Sequence, residues 1–320
     1  MPKNTHLDRM IILSIVVCTY NRADMLATVL ENLAGQTLSP DEFEILIVDN
    51  NSTDDTARIA QEFCAKYPHF RYCLEKKIGL SHARNRGLAE AKGIYVGYTD
   101  DDCRIPADWL EKAHRIATEH APVIFGGPWL PFYTVPKPYW YLDKYDMYAQ
   151  GNYPKHPESN SNFHPSGANV FYQREILNMF YGFDITLGMK GVELGYEEET
   201  AIQRTILESV PSASVFFDPE LFVYHWVRPQ KMNVVWKFRQ QYALGRSKVK
   251  AQSSKKNISF LGYLKLTRTG LRVFLILLSS PIIALFRDRT ALPFVQNYYY
   301  EIISRQFFYL GKALEYYTKQ

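Results

Sequence analysis

Three consecutive carboxylates, Asp100, Asp101 and Asp102, close a short, mostly apolar run, Ile94–Thr99. That run has the length and character of a buried strand. Like charges in a row repel one another and are costly to bury. A hard divalent cation, Mg2+ or Mn2+, resolves the conflict, because such ions take oxygen ligands and bring phosphates with them. Strand C-termini are also where open α/β sheets place ligands. Taken alone, the triplet also fits a solvated acidic turn ahead of a helix that starts near Pro106.

The surrounding elements must position those charges. Met10–Cys18 is a continuous apolar run rich in Ile and Val, as in a strand buried on both faces of a parallel sheet. Thr19-Tyr20-Asn21 breaks it, and Arg22–Leu33 then has helical spacing. Phe43–Val48 predicts a second buried strand ending in Asp49-Asn50-Asn51-Ser52. Thr53 or Asp54 is placed to cap a helix running towards Tyr67. Phe70–Leu74 predicts a third strand, and Ser81 a cap for a helix ended by Gly93. The strand into the aspartates follows. This alternation predicts a doubly wound, mostly parallel α/β sheet. Helices are expected over Pro106–His120, Arg174–Phe180 and from Glu197, with Ile202 and Ile206 facing inward. Strands are expected at Val123–Gly127, after Asn169, at Val215–Asp218 and at Leu221–His225. Residues 128–165, rich in aromatics and prolines, read as a long irregular segment.

Charge divides the chain. Residues 1–230 hold 21 Lys+Arg against 30 Asp+Glu, whereas residues 231–320 hold 16 against 3. The expected organisation is a sheet domain over 1–230 and a basic, aromatic, helical region over 231–320. That region is expected to associate with a membrane or to oligomerise. Its basic residues accompany long apolar runs, which suits an anionic membrane surface rather than nucleic acid. Val273–Phe286 carries no charge, but its 14 residues span only about 21 Å as a helix and include Pro281. That falls short of a ~30 Å hydrocarbon core. The expectation is an interfacial or re-entrant segment, with a buried core helix as the alternative. The four cysteines show no metal-ligand spacing, and the polar start MPKNTHLDR has no secretory pattern. A reduced, cytoplasmic chain, peripheral on the inner face of the cell membrane, is expected.

Six pieces occur in order: SIVVCTYNRADML at 14–26, VDNNSTD at 48–54, GLSHARNRGLAEAKGIYVGYTDDDC at 79–103, SGANVFYQRE at 166–175, GYEEET at 195–200 and VYHW at 223–226. Together they resemble the family 2 glycosyltransferases, over about residues 11–226. The resemblance implies the GT-A fold and an enzyme that moves a sugar from a nucleotide diphosphate donor to an acceptor, with inversion at the anomeric carbon. By resemblance, Asp100 and Asp102 hold Mn2+ or Mg2+. Asp100 can instead reach the donor, and Asp101 can substitute. Thr19, Tyr20, Asn21 and Asp49 line the base and ribose pocket, although turn chemistry explains the same residues. Asn50 stands where a second Asp is common, which leaves base preference open. Arg84 matches a position near the diphosphate, or lies on a solvated helix face. Gly167 and Ala168 resemble the loop that lets backbone approach donor and acceptor. Glu197-Glu198-Glu199 falls where the family carries its general base. The count to Arg204 favours Glu198 and the inward Ile202 favours Glu199. Acid enrichment in a first helical turn is the competing reading. His225 resembles a metal ligand, or is a rim residue. Trp129 and Trp140 are placed to stack on sugars, or to pack under the loop.

The implied partners are a nucleotide diphosphate sugar and a saccharide or lipid-linked acceptor, in cell-surface polysaccharide or glycolipid synthesis. A non-catalytic binding module on the same fold is the competing class. A nucleotide-sugar pyrophosphorylase would want a Gly- and Lys-rich phosphate loop after the first strand, and CTYNRADML offers none.

Overall fold

A computed structural model describes residues 11–146, 165–252 and 260–318. The chain divides into two units. The first is drawn from Met1–Phe132, Met147–Ile185 and Glu199–Trp226, the second from Tyr133–Asp146, Thr186–Glu198 and Val227–Gln320. Two inner segments therefore group with the C-terminal region, which a single cut at residue 230 does not anticipate.

The first unit carries strands β1 (Leu13–Thr19), β2 (Phe43–Asp49), β3 (Phe70–Leu74), β4 (Tyr95–Asp100), β5 (Cys103–Arg104), β6 (Ile124–Gly126), β7 (Trp129–Phe132), β8 (Val170–Gln173), β9 (Val215–Phe217) and β10 (Val223–Trp226). Its helices are α1 (Leu26–Ala34), α2 (Thr56–Lys66), α3 (Leu80–Glu90), α4 (Trp109–Glu119), α5 (Arg174–Met179) and, from its second residue on, α6 (Glu198–Ser209). The main sheet has the order β3-β2-β1-β4-β8-β6-β9. β1 pairs in parallel with β2 and with β4, and β2 with β3. Strand order therefore reverses at β1/β4, the crevice where such sheets take ligands. β8 runs antiparallel to both β4 and β6, a reversal that periodicity does not reveal. A smaller sheet has the order β5-β10-β7. β7 falls inside the stretch expected to be irregular. It is held as a strand by its pairing with β10, a partner about ninety residues away. Residues 147–164 of that stretch lie outside the described residues, as does Met10 at the start of the first apolar run.

β1 and β2 are strands because both their faces are covered. Every residue of β2 is buried, and β1 is buried except for Cys18. Phe125 and Phe171 stack at 4.5 Å between ring centroids, and Gly97 of β4 leaves room for the Phe171 ring. One charge sits inside this apolar layer. Glu44 of β2 accepts from Ser14 Oγ at 2.7 Å and from Lys92 N at 2.7 Å, and pairs with Arg71 Nη1 at 2.8 Å. It ties β1, β2, β3 and the turn into β4 together. At α3 the expected Ser81 cap is not found. Gly79, with φ of +147°, stands at the N-cap, and Ser81 is buried within the first turn.

The second unit is helical: α7 (Val234–Gln252), α8 (Phe260–Leu285), α9 (Val295–Tyr298), a π-helical turn at Tyr299–Ile303, and α10 (Ser304–Thr318). α7 and α10 cross backbone to backbone. A Cβ on Gly245 would meet Phe308 O at 2.1 Å, and one on Gly311 would meet Tyr242 O at 2.1 Å. Trp140, Tyr141 and Tyr300 form a buried aromatic cluster with Val227 and Met232. Trp140 is therefore core, not an exposed sugar platform. α8 continues through Pro281, so it is longer than its uncharged run. Thr267–Leu285, 19 residues with mean hydropathy 1.6, is long and apolar enough to cross a membrane by length and composition.

Glu44→Ala should lower unfolding free energy by about 2 kcal/mol, because the Ser14 hydroxyl loses its acceptor, Arg71 keeps only Glu90, and the Lys92 amide keeps only Ser14 Oγ. Urea denaturation measures this. A loss under ~1 kcal/mol would mean that the network does not hold the strands.

Candidate active site

Asp100 is the last residue of β4, and Asp102 the last before β5. β5 pairs antiparallel with β10, His225 opposite Cys103, and Trp226 N donates to Asp102 O at 3.1 Å. This register carries the His225 ring to the aspartates. Its Nε2 lies 3.4 Å from Asp100 Oδ2 and 3.4 Å from Asp102 Oδ1. One ligand atom from each of the three lies within 4.8 Å of the others. Trp129 of β7 packs against the imidazole, with ring centroids 5.3 Å apart. Asp102 is almost fully buried and Asp100 about a third exposed, which leaves the cluster open on one side. Two carboxylates and an imidazole suit a divalent ion such as Mn2+. The middle aspartate turns elsewhere: Asp101 Oδ1 lies 3.7 Å from Arg22 Nε. Burial, and then the charge of Asp102, push its carboxyl well above the usual carboxylate range.

The ends of β1 and β2 are bound to each other. Asn21, at φ of +52°, accepts from Thr53 N at 2.7 Å, and its own N donates to Ser52 Oγ at 2.9 Å. Asp49 is buried and accepts from Ser52 N at 2.8 Å and from Tyr72 OH at 2.9 Å. Thr19 is buried and Tyr20 half-buried beside them. Asn50 has a structural task. Its Nδ2 donates to Glu75 O and Lys77 O at 3.2 and 2.8 Å, and its Oδ1 accepts from Gly79 N at 2.7 Å. An aspartate could not make those two donations.

Arg84 is buried rather than on a solvated face, and its Nη2 reaches Glu199 Oε1 at 3.1 Å. Gly167 lies against this pair. A Cβ there would come within 2.0 Å of Glu199 Oε1 and 2.3 Å of Arg84 Nη2. Ala168, beside it, is buried. Of the acidic triplet, Glu197 is paired with Lys248 Nζ at 3.0 Å, and Glu198, the first residue of α6, is buried. Ile202 and Ile206 are buried as expected.

Two positioning residues were not foreseen. Asn169 is fully buried, accepts from Trp109 Nε1 at 3.0 Å, and donates to Leu221 O and Pro128 O at 2.6 and 3.2 Å. It joins the Gly167-Ala168 loop to α4 and to the segments entering β7 and β10. Arg22 is the other. A polar residue directly after a Gly-Ala pair and an arginine directly after Thr19-Tyr20-Asn21 were the available signals.

The fold and the site thus define a doubly wound α/β protein with an Asp-Asp-His cluster at the switch point of its sheet. Glycosyl transferase family 2 matches residues 14–180, more than half of the chain. The chain belongs to that family. A cholesterol galactosyltransferase of Borreliella burgdorferi is 34% identical over 104 residues, 32% of this chain and 28% of that protein. The chain spans about a third or less of the length of the curated relatives it matches. Among solved structures, a mannosyltransferase of Pyrobaculum calidifontis in complex with GDP-Man and Mn2+ aligns with TM-score 0.64 at 20% identity, covering 96% of this chain and 87% of that one. S. aureus TarS 1–349 in complex with UDP-GlcNAc aligns with TM-score 0.55 at 17% identity, covering 97% and 91%. At those identities the likeness establishes the fold, which is GT-A.

Asn169→Ala should cost about 2 kcal/mol or more, since it orphans the Trp109 indole N–H and two carbonyls. Urea denaturation again provides the measure, and a change below ~0.5 kcal/mol would remove Asn169 from its proposed place.

Proposed function

We propose that the chain is an inverting, divalent-cation-dependent glycosyltransferase. It moves a sugar from a nucleotide diphosphate sugar to an acceptor hydroxyl, in the building of cell-surface polysaccharide or glycolipid. The observation that carries this reading is the Asp100–Asp102–His225 cluster at the sheet's switch point. The Mn2+ and nucleotide sugars bound by the fold's neighbours support it. Asp100, Asp102 and His225 would hold the cation, with Mn2+ favoured over Mg2+ by the imidazole nitrogen. When bound, the cation supplies positive charge to the departing diphosphate.

The chain's own residues do the rest. Asp49 accepts one hydrogen bond on each oxygen, and each oxygen keeps a second lone pair for a base N–H or a ribose hydroxyl. Thr19, Tyr20 and Asn21 line the same pocket. Asp101 and Arg84 complete the donor side, and Gly167 and Ala168 offer backbone to the sugar. Glu198 is the general base, in the register counted to Arg204. Its carboxylate takes the acceptor's proton as the acceptor oxygen attacks the anomeric carbon. The bond from that carbon to the diphosphate oxygen breaks on the opposite face, the diphosphate leaves with the electron pair, and the carbon inverts. Glu199, held by Arg84, fixes the start of α6.

We also propose that the second unit rests on the cytoplasmic face of an anionic membrane. α8 is two-faced. Val273, Ser280 and Ala284 are buried, whereas Leu271, Phe274, Leu275, Leu278, Ile282 and Leu285 are exposed. A helix packed on one side and apolar on the other suits insertion in the plane of the interface. The excess of 16 Lys+Arg over 3 Asp+Glu in residues 231–320 adds electrostatic attraction to it. An acceptor held at that surface, such as a lipid-linked saccharide, follows.

A screen of nucleotide sugars for Mn2+-dependent hydrolysis is the direct test. Asp102→Asn should abolish the metal-dependent rate. Glu198→Gln should cut transfer by about 10²–10⁴-fold while calorimetry shows donor affinity retained. Full activity of Asp102→Asn without metal would sink the metal role, and equal loss of affinity and turnover in Glu198→Gln would make that residue structural. A binding module would hydrolyse no donor.

Leu278→Glu/Ile282→Glu should release the full chain from phosphatidylglycerol vesicles in flotation, with thermal unfolding unchanged. Retention on the vesicles would exclude α8 as the inserted face.

A further inference from the structure

In the first unit, the carboxylate assigned above to the nucleotide, Asp49, is met by a tyrosine from the neighbouring strand. Tyr72 of β3 pairs in register with Ile47 of β2, two residues before Asp49. Residues two apart on a strand share a face of the sheet, so Asp49 lies about 6.6 Å further along the face that Ile47 and Tyr72 occupy, at ~3.3 Å per residue. A tyrosine that leans along its strand covers that distance. Serine or threonine here would be too short, and phenylalanine has no hydroxyl. Tyr72 OH donates to Asp49 Oδ2 at 2.9 Å, while its ring is half-buried against the apolar layer that holds Ile45, Ile47 and Phe70.

Asp49 is 1% exposed, and its two oxygens are held from different segments. Ser52 N, in the turn after β2, donates to Oδ1 at 2.8 Å. That bond alone would leave the carboxylate free to pivot about it. The second bond comes from a ring packed in the core and fixes the other oxygen. The main chain is tied across the same two strands, since Glu75 N donates to Asp49 O at 2.8 Å. Tyr72 keeps its proton for this task. Burial, and then the hydrogen bond to Asp49 and its charge, push the phenol well above its ordinary range.

A carboxylate accepts and never donates, so the lone pairs left on Asp49 take only N–H or O–H groups of a ligand. An acceptor already held in place loses little orientational freedom on binding, which raises affinity without any new contact. The base and ribose do not react. Their contacts are therefore the same in the ground and transition states, and such binding changes KM rather than kcat.

We propose that Tyr72 is a positioning residue for the sugar nucleotide: it sets the affinity for the nucleoside by holding the Asp49 carboxylate in place. This rests on the glycosyltransferase reading. The test is calorimetry of the full chain with UDP, GDP, CDP, ADP and dTDP in Mn2+, alongside turnover of the matching sugar nucleotide. For whichever nucleotide wild type binds, Tyr72→Phe should bind about tenfold more weakly. Its KM for the sugar nucleotide should rise by the same factor, with kcat within about twofold of wild type. In an Asp49→Asn background, Tyr72→Phe should add no further loss, because the tyrosine acts through that carboxylate. Thermal unfolding reports that each variant is folded. Unchanged affinity and KM in Tyr72→Phe, with only a lower thermal midpoint, would reduce the bond to a strap between β2 and β3 and overturn the proposal. A fall in kcat as large as the rise in KM, or a further tenfold loss on top of Asp49→Asn, would overturn it too, since Tyr72 would then act beyond Asp49. Nucleotide binding that depends on Tyr72, in a chain that turns over no sugar nucleotide, would fail the transferase reading while leaving the positioning role in place. Binding of none of the five nucleotides by wild type would remove both.

Discussion

Mutual repulsion among Asp100, Asp101 and Asp102 is the constraint from which much of the first unit follows. Adjacent carboxylates at a strand end tolerate burial only when each meets a polar partner or a cation. Asp101 faces Arg22. Asp100 and Asp102 face His225, which arrives through the β5–β10 pairing. The small sheet therefore does more than extend the fold. Its register brings the His225 imidazole to the carboxylates, and Trp129 of β7 packs against that ring. A one-residue slip of β10 would turn His225 to the opposite face.

Around this centre, positioning is done by buried polar side chains that serve several backbone segments at once. Asn50 joins the end of β2 to the loop entering α3, and Asn169 joins the glycine loop to α4 and to the smaller sheet. An amide suits both places because it donates and accepts together. Arg84 couples α3 to the start of α6 across Gly167, where a side chain would not fit. Each of these contacts is specific in geometry, so the loops at the sheet edge are ordered without regular secondary structure. Such order is what a site requires when its chemistry depends on fixed distances.

The second unit follows a different logic. Close helix crossing at Gly245 and Gly311 and a buried aromatic cluster stabilise it, while α8 keeps an apolar face uncovered. A helix that packed all its apolar residues would expose only polar ones. α8 does not.

Most of the alternation of strands and helices was legible in the chain itself, because strands buried on both faces leave mostly apolar runs such as 11–18 and 43–48, broken only by Ser14 and Glu44. The acidic triplets, Gly167-Ala168 and His225 were legible too, since their types and order survive without coordinates. Local pattern does not encode pairing between distant segments. The antiparallel β8, strand β7 inside an apparently irregular stretch, and the grouping of 133–146 and 186–198 with the C-terminal helices all arise from contacts far apart in sequence. The same holds for the roles within the site. Which aspartate meets histidine, which glutamate meets Arg84, and that Trp140 is core rather than platform are matters of which side chains share space, and tertiary packing decides that.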